Sequence, residues 1–264
     1  MRVDYAELSL RGERDTNQDR VSVAVSQHAA LLGAYDGMGG HAEGERAAEI
    51  AQRTVVENFG PITQPLLDPL GFLALSLGAA HERVVAFGAQ LPIELRPRAT
   101  CALCLVQHSS AYWAHVGDSR VYHLRAGRVQ ERTRDHSHVE LLVREGVISA
   151  GQAPGHPMRN FVESCLGGDP ILPEMALSPR RALLPNDVLL VCTDGFWASL
   201  DDELIGSAFM TLESSLHDTL ARLGAQALRN AGGASDNTSV AALRFLDQES
   251  SSHHEFASER PRRR

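Results

Sequence analysis

The sequence predicts an α+β protein assembled in layers, and two features of its patterning predict it. Apolar runs rich in β-formers come in blocks, and the long segments with helical periodicity are grouped. A doubly wound parallel sheet would instead alternate strand and helix throughout. In order along the chain, residues 21–25 and 30–35 read as strands. Residues 42–59 read as a helix, because Ala47, Ala51, Val55 and Phe59 recur every fourth residue while Glu45, Glu49 and Gln52 face outward. A second helix spans 72–90. A block of strands follows at 100–106, 112–116, 121–124 and 129–133, the last two joined by a hairpin turn over 125–128. Ser137-His138-Val139-Glu140 has the capping-box pattern and opens a short helix reaching Gly146. Residues 147–160 mix Gly, Pro, His and Ser without periodicity and read as a long surface flap. A strand at 188–192, a helix at 213–230 with a Leu216, Leu220, Leu223, Ala227 stripe, and a strand at 239–245 complete the order.

Composition narrows the function. The chain has 264 residues, 43% hydrophobic and 22% charged, which excludes collagen-like, coiled-coil and wholly disordered classes. All 25 basic residues are arginines, and 33 acidic residues bring the formal charge to −8. That balance opposes a nucleic-acid or anionic-membrane partner. No run approaches the ~18 apolar residues of a membrane span, and no secretory signal is evident. Cys101 and Cys104 have CxxC spacing, but on a strand a separation of three points them to opposite faces, so they should neither bridge nor chelate together. The reading is of small core residues in a reducing compartment, hence a cytoplasmic protein. One domain is expected over 1–246, with a flap near 135–160. The polar segment 247–264, ending in an arginine cluster, is expected to be a disordered tail.

The informative pattern is acidic. Apolar runs end or begin at an aspartate beside a turn-forming residue in Asn17-Gln18-Asp19, Asp36-Gly37, Gly117-Asp118-Ser119, Thr193-Asp194-Gly195 and Ser235-Asp236-Asn237. Taken singly, each is a turn, for which Asp and Gly are suited by backbone preference. If sheet packing gathers them at one edge, the carboxylates repel and must protonate or share a cation. Carboxylate and carbonyl oxygens suit Mg²⁺ or Mn²⁺ rather than Zn²⁺ or copper. Two such ions activate water and stabilise a phosphoryl transition state. Arg14 would supply the cation that clamps phosphate oxygens.

In order, Arg14-Asp15-Thr16-Asn17-Gln18-Asp19, Asp36-Gly37-Met38-Gly39-Gly40-His41, Gly117-Asp118-Ser119-Arg120, Thr193-Asp194-Gly195 and Asp236-Asn237 resemble the motif series of the PPM-type (type 2C) metal-dependent Ser/Thr protein phosphatases, bacterial stand-alone type. The resemblance covers roughly residues 5–246. It implies a four-layer α-β-β-α sandwich, two mainly antiparallel sheets flanked by helices. It implies a binuclear Mn²⁺ or Mg²⁺ centre with a weaker third ion. Asp36 would bridge both metals and the Gly37 carbonyl would bind the second. Asp194 and Asp236 would hold the first, and Asp118 would share the third with Asp194. Asp19 and Asn237 would orient metal-bound waters, and Arg14 would bind the substrate phosphate. The implied reaction is hydrolysis of phosphoserine and phosphothreonine by a metal-activated water, on phosphoprotein substrates, opposing a cognate Ser/Thr kinase, by a monomer.

Two positions depart from the family pattern. Some members have Glu where Gln18 stands and place a general-acid His two residues after the bridging Asp, where this chain has Met38. A thioether cannot donate a proton. His41 is the candidate acid; burial against its loop is the alternative for that residue, and a metal-bound water the alternative for that role. His136, His115 and His123 read as structural, and Trp113 and Trp197 as core anchors.

Overall fold

Strands that are apolar on both faces must be covered on both faces, and the fold follows from that requirement. The structure is a computed structural model that describes residues 1–38, 42–211 and 214–247. The strands are β1 (Arg2–Leu10), β2 (Asp19–Val25), β3 (Ala29–Met38), β4 (Arg98–Ala99), β5 (Cys101–Gln107), β6 (Ser110–Val116), β7 (Arg120–Arg125), β8 (Arg128–Arg132), β9 (Leu166–Gly167), β10 (Ala176–Leu177), β11 (Arg181–Ala182), β12 (Val188–Cys192) and β13 (Thr238–Asp247). The α-helices are α1 (Ala42–Phe59), α2 (Pro69–Gly88), α3 (His138–Arg144), α4 (Asp194–Trp197), α5 (Asp202–Ala208) and α6 (Leu216–Ala231). One sheet runs β1-β13-β12-β7-β8; the other runs β10-β6-β5-β3-β4-β9, with β2 on β3 and β11 on β6. All these pairings are antiparallel.

Alternate residues of each central strand enter different cores. Along β5, Cys101, Leu103 and Leu105 point to the core shared with α1 and α2, and Ala102, Cys104 and Val106 to the core between the sheets. Along β12, Leu189 and Val191 face the other sheet, while Val188, Leu190 and Cys192 face α5 and α6. Helix, sheet, sheet and helix therefore stack as the expected four-layer α+β sandwich. Burying each large side chain contributes about 1.5–3 kcal/mol. Cys101 and Cys104 lie on opposite strand faces, buried and free.

The helices have local causes. In α2, Asp68 accepts from the Gly71 N–H at 2.9 Å and Pro69 occupies the first turn, so the helix starts three residues earlier than its periodicity suggests. By length and composition α2 could cross a membrane; its Leu73, Leu77 and Ala80 pack into the core. Ser137 caps α3 through the Glu140 N–H. In the β7–β8 hairpin, Ala126 and Gly127 both have positive φ, 49° and 73°. The flap contains one 3₁₀ stretch, Ala150–Gly155. The sequence reading missed β1, whose burial alternates, and the short α4 and α5. The predicted tail is outside the described residues from 248 onward.

One buried ion cluster fastens the end of β12. Asp187, 1% exposed, receives Arg125 Nε and Nη2 at 2.8 and 2.7 Å and the Leu184 N–H at 2.9 Å, and faces His123 Nε2 at 2.9 Å. Burial opposes its ionisation, but Arg125, His123 and the Leu184 N–H outweigh burial and hold its carboxyl down at about 2. A carboxyl depressed on folding stabilises the fold above its unfolded value and loses that contribution as pH falls through the folded one. Asp187→Asn should therefore cost about 2 kcal/mol at pH 7, and the difference from wild type should vanish between pH 4 and pH 2 in urea titrations.

Candidate active site

The aspartates set apart by the sequence converge. Arg14, Asp36, Gly37, Asp118, Asp194, Asp236 and Asn237 line one cleft of about 360 Å³. Asp19 lies beneath it, 2% exposed, paired in register with Asp36 across β2 and β3. Asp118 sits in the turn from β6 to β7, Asp194 directly after β12, and Asp236 two residues before β13. Cys192 of β12 pairs with both Arg120 and Val240, so β7, β12 and β13 bring these three acids to the same edge. Thr193 is one of the side chains that join the two sheets at that edge. Thr193 Oγ1 donates to Asp19 Oδ2 at 2.7 Å and accepts from the Ser239 N–H at 3.1 Å.

The glycines of the two Asp-Gly pairs are needed for space. A Cβ on Gly37 would lie 2.0 Å from the Gly44 carbonyl oxygen, and one on Gly195 2.0 Å from that of Asn237. Gly37 is thus demanded by the approach of α1 to β3, a reason the sequence alone did not disclose.

Burial, and after it the neighbouring carboxylates, raises Asp19, Asp36, Asp118 and Asp194. Asp36 and Asp118 move well above the usual carboxylate range. Asp19 is raised to about 7, burial outweighing the Thr193 hydrogen bond, and Asp194 to about 6, burial and then Asp236 being the causes. Among the described residues, buried Asp118 Oδ1 has no hydrogen-bond partner. An orphaned carboxylate oxygen among mutually repelling acids fits a hard divalent cation. Among the described residues no three His, Cys, Asp or Glu side chains close around a single point, so backbone carbonyls and water would have to complete any coordination shell. A carboxyl raised on folding holds more protons folded than unfolded, so stability falls as pH rises between the two values. With chelator present, the melting temperature should drop as pH climbs from 4 to 7, and Asp19→Asn should flatten that decline.

Arg14 donates to Asp236 Oδ2 at 2.6 Å, with its side chain 60% exposed. Asn237 spends its amide on the chain around Arg14: Nδ2 donates to the Arg11 and Thr16 carbonyls at 2.7 and 2.9 Å, and Oδ1 accepts from the Gln18 N–H at 2.8 Å. These bonds hold the Arg14 loop against the start of β13. Met38 lines the cleft. His41, the candidate acid, lies outside the described residues.

Sequence reasoning missed a supporting network. Trp197, expected as a core anchor, is half-buried and donates its Nε1–H to the Asp118 carbonyl at 3.0 Å. Its ring carries the Arg120 guanidinium at 3.2 Å from the centroid. Arg120 in turn grips Asp135 through Nε and Nη2, both at 2.7 Å. The backbones of Gly117 and His136 exchange a further link, His136 N–H to Gly117 carbonyl at 2.9 Å. Asp118 and Asp194 are thereby fixed relative to each other, because Trp197 shares the single turn of α4 with Asp194. The aromatic residue three positions after a strand-end Asp was the available signal. Trp197→Phe keeps the stacking and loses the N–H, and should cost about 1–3 kcal/mol by urea unfolding; Trp197→Ala should cost more, as Arg120 also loses its platform.

The sandwich, its strand-edge acids and the arginine beside them are the arrangement that the motif series leads one to expect of a PPM-type fold. Residues 9–232 match the family protein phosphatase 2C, and the chain belongs to that family. It is 33% identical over 250 residues to the serine/threonine protein phosphatase PstP of Mycobacterium tuberculosis, a match covering 92% of this chain and 45% of that protein. The chain thus spans less than half of that relative's length. A Streptococcus agalactiae serine/threonine phosphatase superposes with TM-score 0.84 at 26% identity, over 93% of this chain and all of that one. The catalytic domain of PstP in complex with two manganese ions superposes with TM-score 0.77 at 30% identity, over 93% of this chain and 99% of that one.

Proposed function

We propose that this chain hydrolyses phosphoserine and phosphothreonine esters in proteins, using two Mn²⁺ or Mg²⁺ ions and a weaker third. The observation that carries the reading is the convergence of Asp36, Asp118, Asp194 and Asp236 with Arg14 on one cleft. The manganese pair in the PstP domain supports it. When bound, the divalent pair lowers the pKa of water and neutralises phosphoryl oxygens. The residues divide the remaining work. Asp36, the Gly37 carbonyl, Asp194 and Asp236 would hold the pair. Asp118 and Asp194 would hold the third ion. Asp19, fixed by Thr193, holds a second carboxylate behind Asp36. Arg14, exposed at the cleft beside Asp236, would present its guanidinium to the phosphate.

A phosphoprotein substrate requires a kinase that made it, so a cognate Ser/Thr kinase is the natural opponent, and signalling the setting. Three buried free cysteines, Cys101, Cys104 and Cys192, suit a reducing cytoplasm. The charge of −8 supports protein rather than nucleic-acid partners.

Phosphothreonine peptide should be turned over with Mn²⁺, and EDTA should abolish turnover; activity that survives chelation would overturn the reading. Asp36→Asn should lower kcat/KM by at least about a hundredfold. Independently of turnover, Mn²⁺ should raise the melting temperature more at pH 8 than at pH 5, because protons compete for the same carboxylates.

A further inference from the structure

The connection from β8 to α3 is laced residue by residue to the β6–β7 region that carries Asp118. The Thr133 N–H donates to the Val121 carbonyl at 3.0 Å, and Thr133 Oγ1 accepts from the Val121 N–H at 3.1 Å. The Arg134 carbonyl accepts from His115 Nε2 at 2.7 Å, and Asp135 is gripped by Arg120. His136 meets Gly117, and this contact is double. The His136 N–H donates to the Gly117 carbonyl at 2.9 Å, and the Gly117 N–H donates to His136 Nδ1 at 3.3 Å. An imidazole nitrogen that accepts carries no proton, so His136 is the neutral ring with its proton on Nε2. Burial, opposed by Glu174 and Asp135, lowers its pKa and keeps it neutral at pH 7. The ring also lies over that of His115, with centroids 4.6 Å apart.

Gly117 is where such a hold matters. Its φ is +96°, and a Cβ there would lie 2.6 Å from Thr100 Cβ. The residue must be glycine, and a glycine's torsions are soft. Bonds on both sides of its Cα remove that freedom. The Gly117 carbonyl belongs to the peptide plane that enters Asp118. The Asp118 carbonyl belongs to the plane that leaves it, and Trp197 Nε1 holds that oxygen at 3.0 Å. With both planes fixed, the Cα–Cβ direction of Asp118 is fixed. We infer that His136 is a positioning residue: its Nδ1, by accepting from the Gly117 N–H, sets the direction in which Asp118 presents its carboxylate to the cleft. The backbone bond from position 136 needs only an N–H there. The Nδ1 bond needs an acceptor on the γ carbon, and that part belongs to this side chain. The inference rests on the phosphatase reading only for what Asp118 does with its carboxylate.

Two substitutions in the full chain separate acceptor from ring. His136→Phe keeps a ring over His115 and removes the acceptor. His136→Asn removes the ring and keeps an acceptor, Oδ1, on the same γ carbon. With Mn²⁺ and a phosphothreonine peptide, His136→Phe should lower kcat about tenfold and leave KM within about twofold, because Arg14 is untouched. His136→Asn should hold kcat within about threefold of wild type. Position is followed separately in a Trp113→Phe background, where Trp197 is the remaining tryptophan. There His136→Phe should shift Trp197 emission, since the indole bonds the Asp118 carbonyl, and His136→Asn should leave it in place. In the wild-type chain, nitrogen-resolved NMR of the imidazoles should find the His136 proton on Nε2, a result that needs no variant to fold. The inference is overturned if His136→Phe matches wild type, if His136→Asn loses as much as His136→Phe, or if the His136 proton sits on Nδ1. Emission and tautomer as expected, with no hydrolysis by the wild-type chain, would instead end the phosphatase reading and leave the placement of Asp118 standing.

Discussion

Like charges buried within reach of one another, where two sheets meet, are the constraint that the rest of the molecule answers. Asp19 and Asp36 are cross-strand partners, and Asp118, Asp194 and Asp236 reach the same edge from the other sheet or its adjoining turn. A local turn could not hold such a group together, because each acid would swing outward into water. Here the acids are carried by strands whose register is locked. Sliding β3 or β12 by one residue would exchange its two buried faces and misplace every side chain on both. The apolar content of three cores is what keeps the repelling carboxylates in place.

The chain itself answers only part of that repulsion. Thr193 and the Gly195 N–H favour ionised Asp19 and Asp194 respectively, and Arg14 balances Asp236. One exposed guanidinium against five acids leaves an excess that protons or cations must fill. The difference between those two fillings is chemical. Protons would remove the carboxylates as ligands, whereas divalent cations would use them as ligands and supply the positive charge that Arg14 now sets against Asp236.

Legibility in the sequence followed the kind of force involved. The layered fold could be read because strands buried on both faces produce continuous apolar runs, as at β5 and β12. β1 could not, since its burial alternates from residue to residue and leaves no such run. The acids could be read because Asp beside Gly or Asn at a strand end is a local, repeated signal. Convergence itself was an inference from five repetitions, and the geometry now supplies the reason through the shared pairing of Cys192 with Arg120 and Val240. Trp197 was misread because burial propensity describes a residue type, whereas its role depends on Arg120 and Asp118, each more than 70 positions away in sequence. Asn237 shows the same limit: its amide serves carbonyls at residues 11 and 16, a contact no spacing rule encodes.

Trp197 also separates the packing of the flap from that of the acids. The root of the flap is tied to the acid-bearing turn by the Arg120–Asp135 pair and by the exchange between His136 and Gly117. Beyond that root the constraints thin out. A Cβ placed on Gly146, Gly151 or Gly155 would meet no atom within 4 Å, so side chains added at the last two would disturb no packing, while Gly146, at φ +71°, is held by backbone conformation alone. Between the rigid root and the loosely packed remainder lie Val139, Val143 and Ala153, which line one cavity with Trp197. The Asp118 turn is held both by the Trp197 indole and by the ties at the flap root. Its position is therefore set by groups next to β7 and β12, and the outer part of the flap can repack without moving the acid.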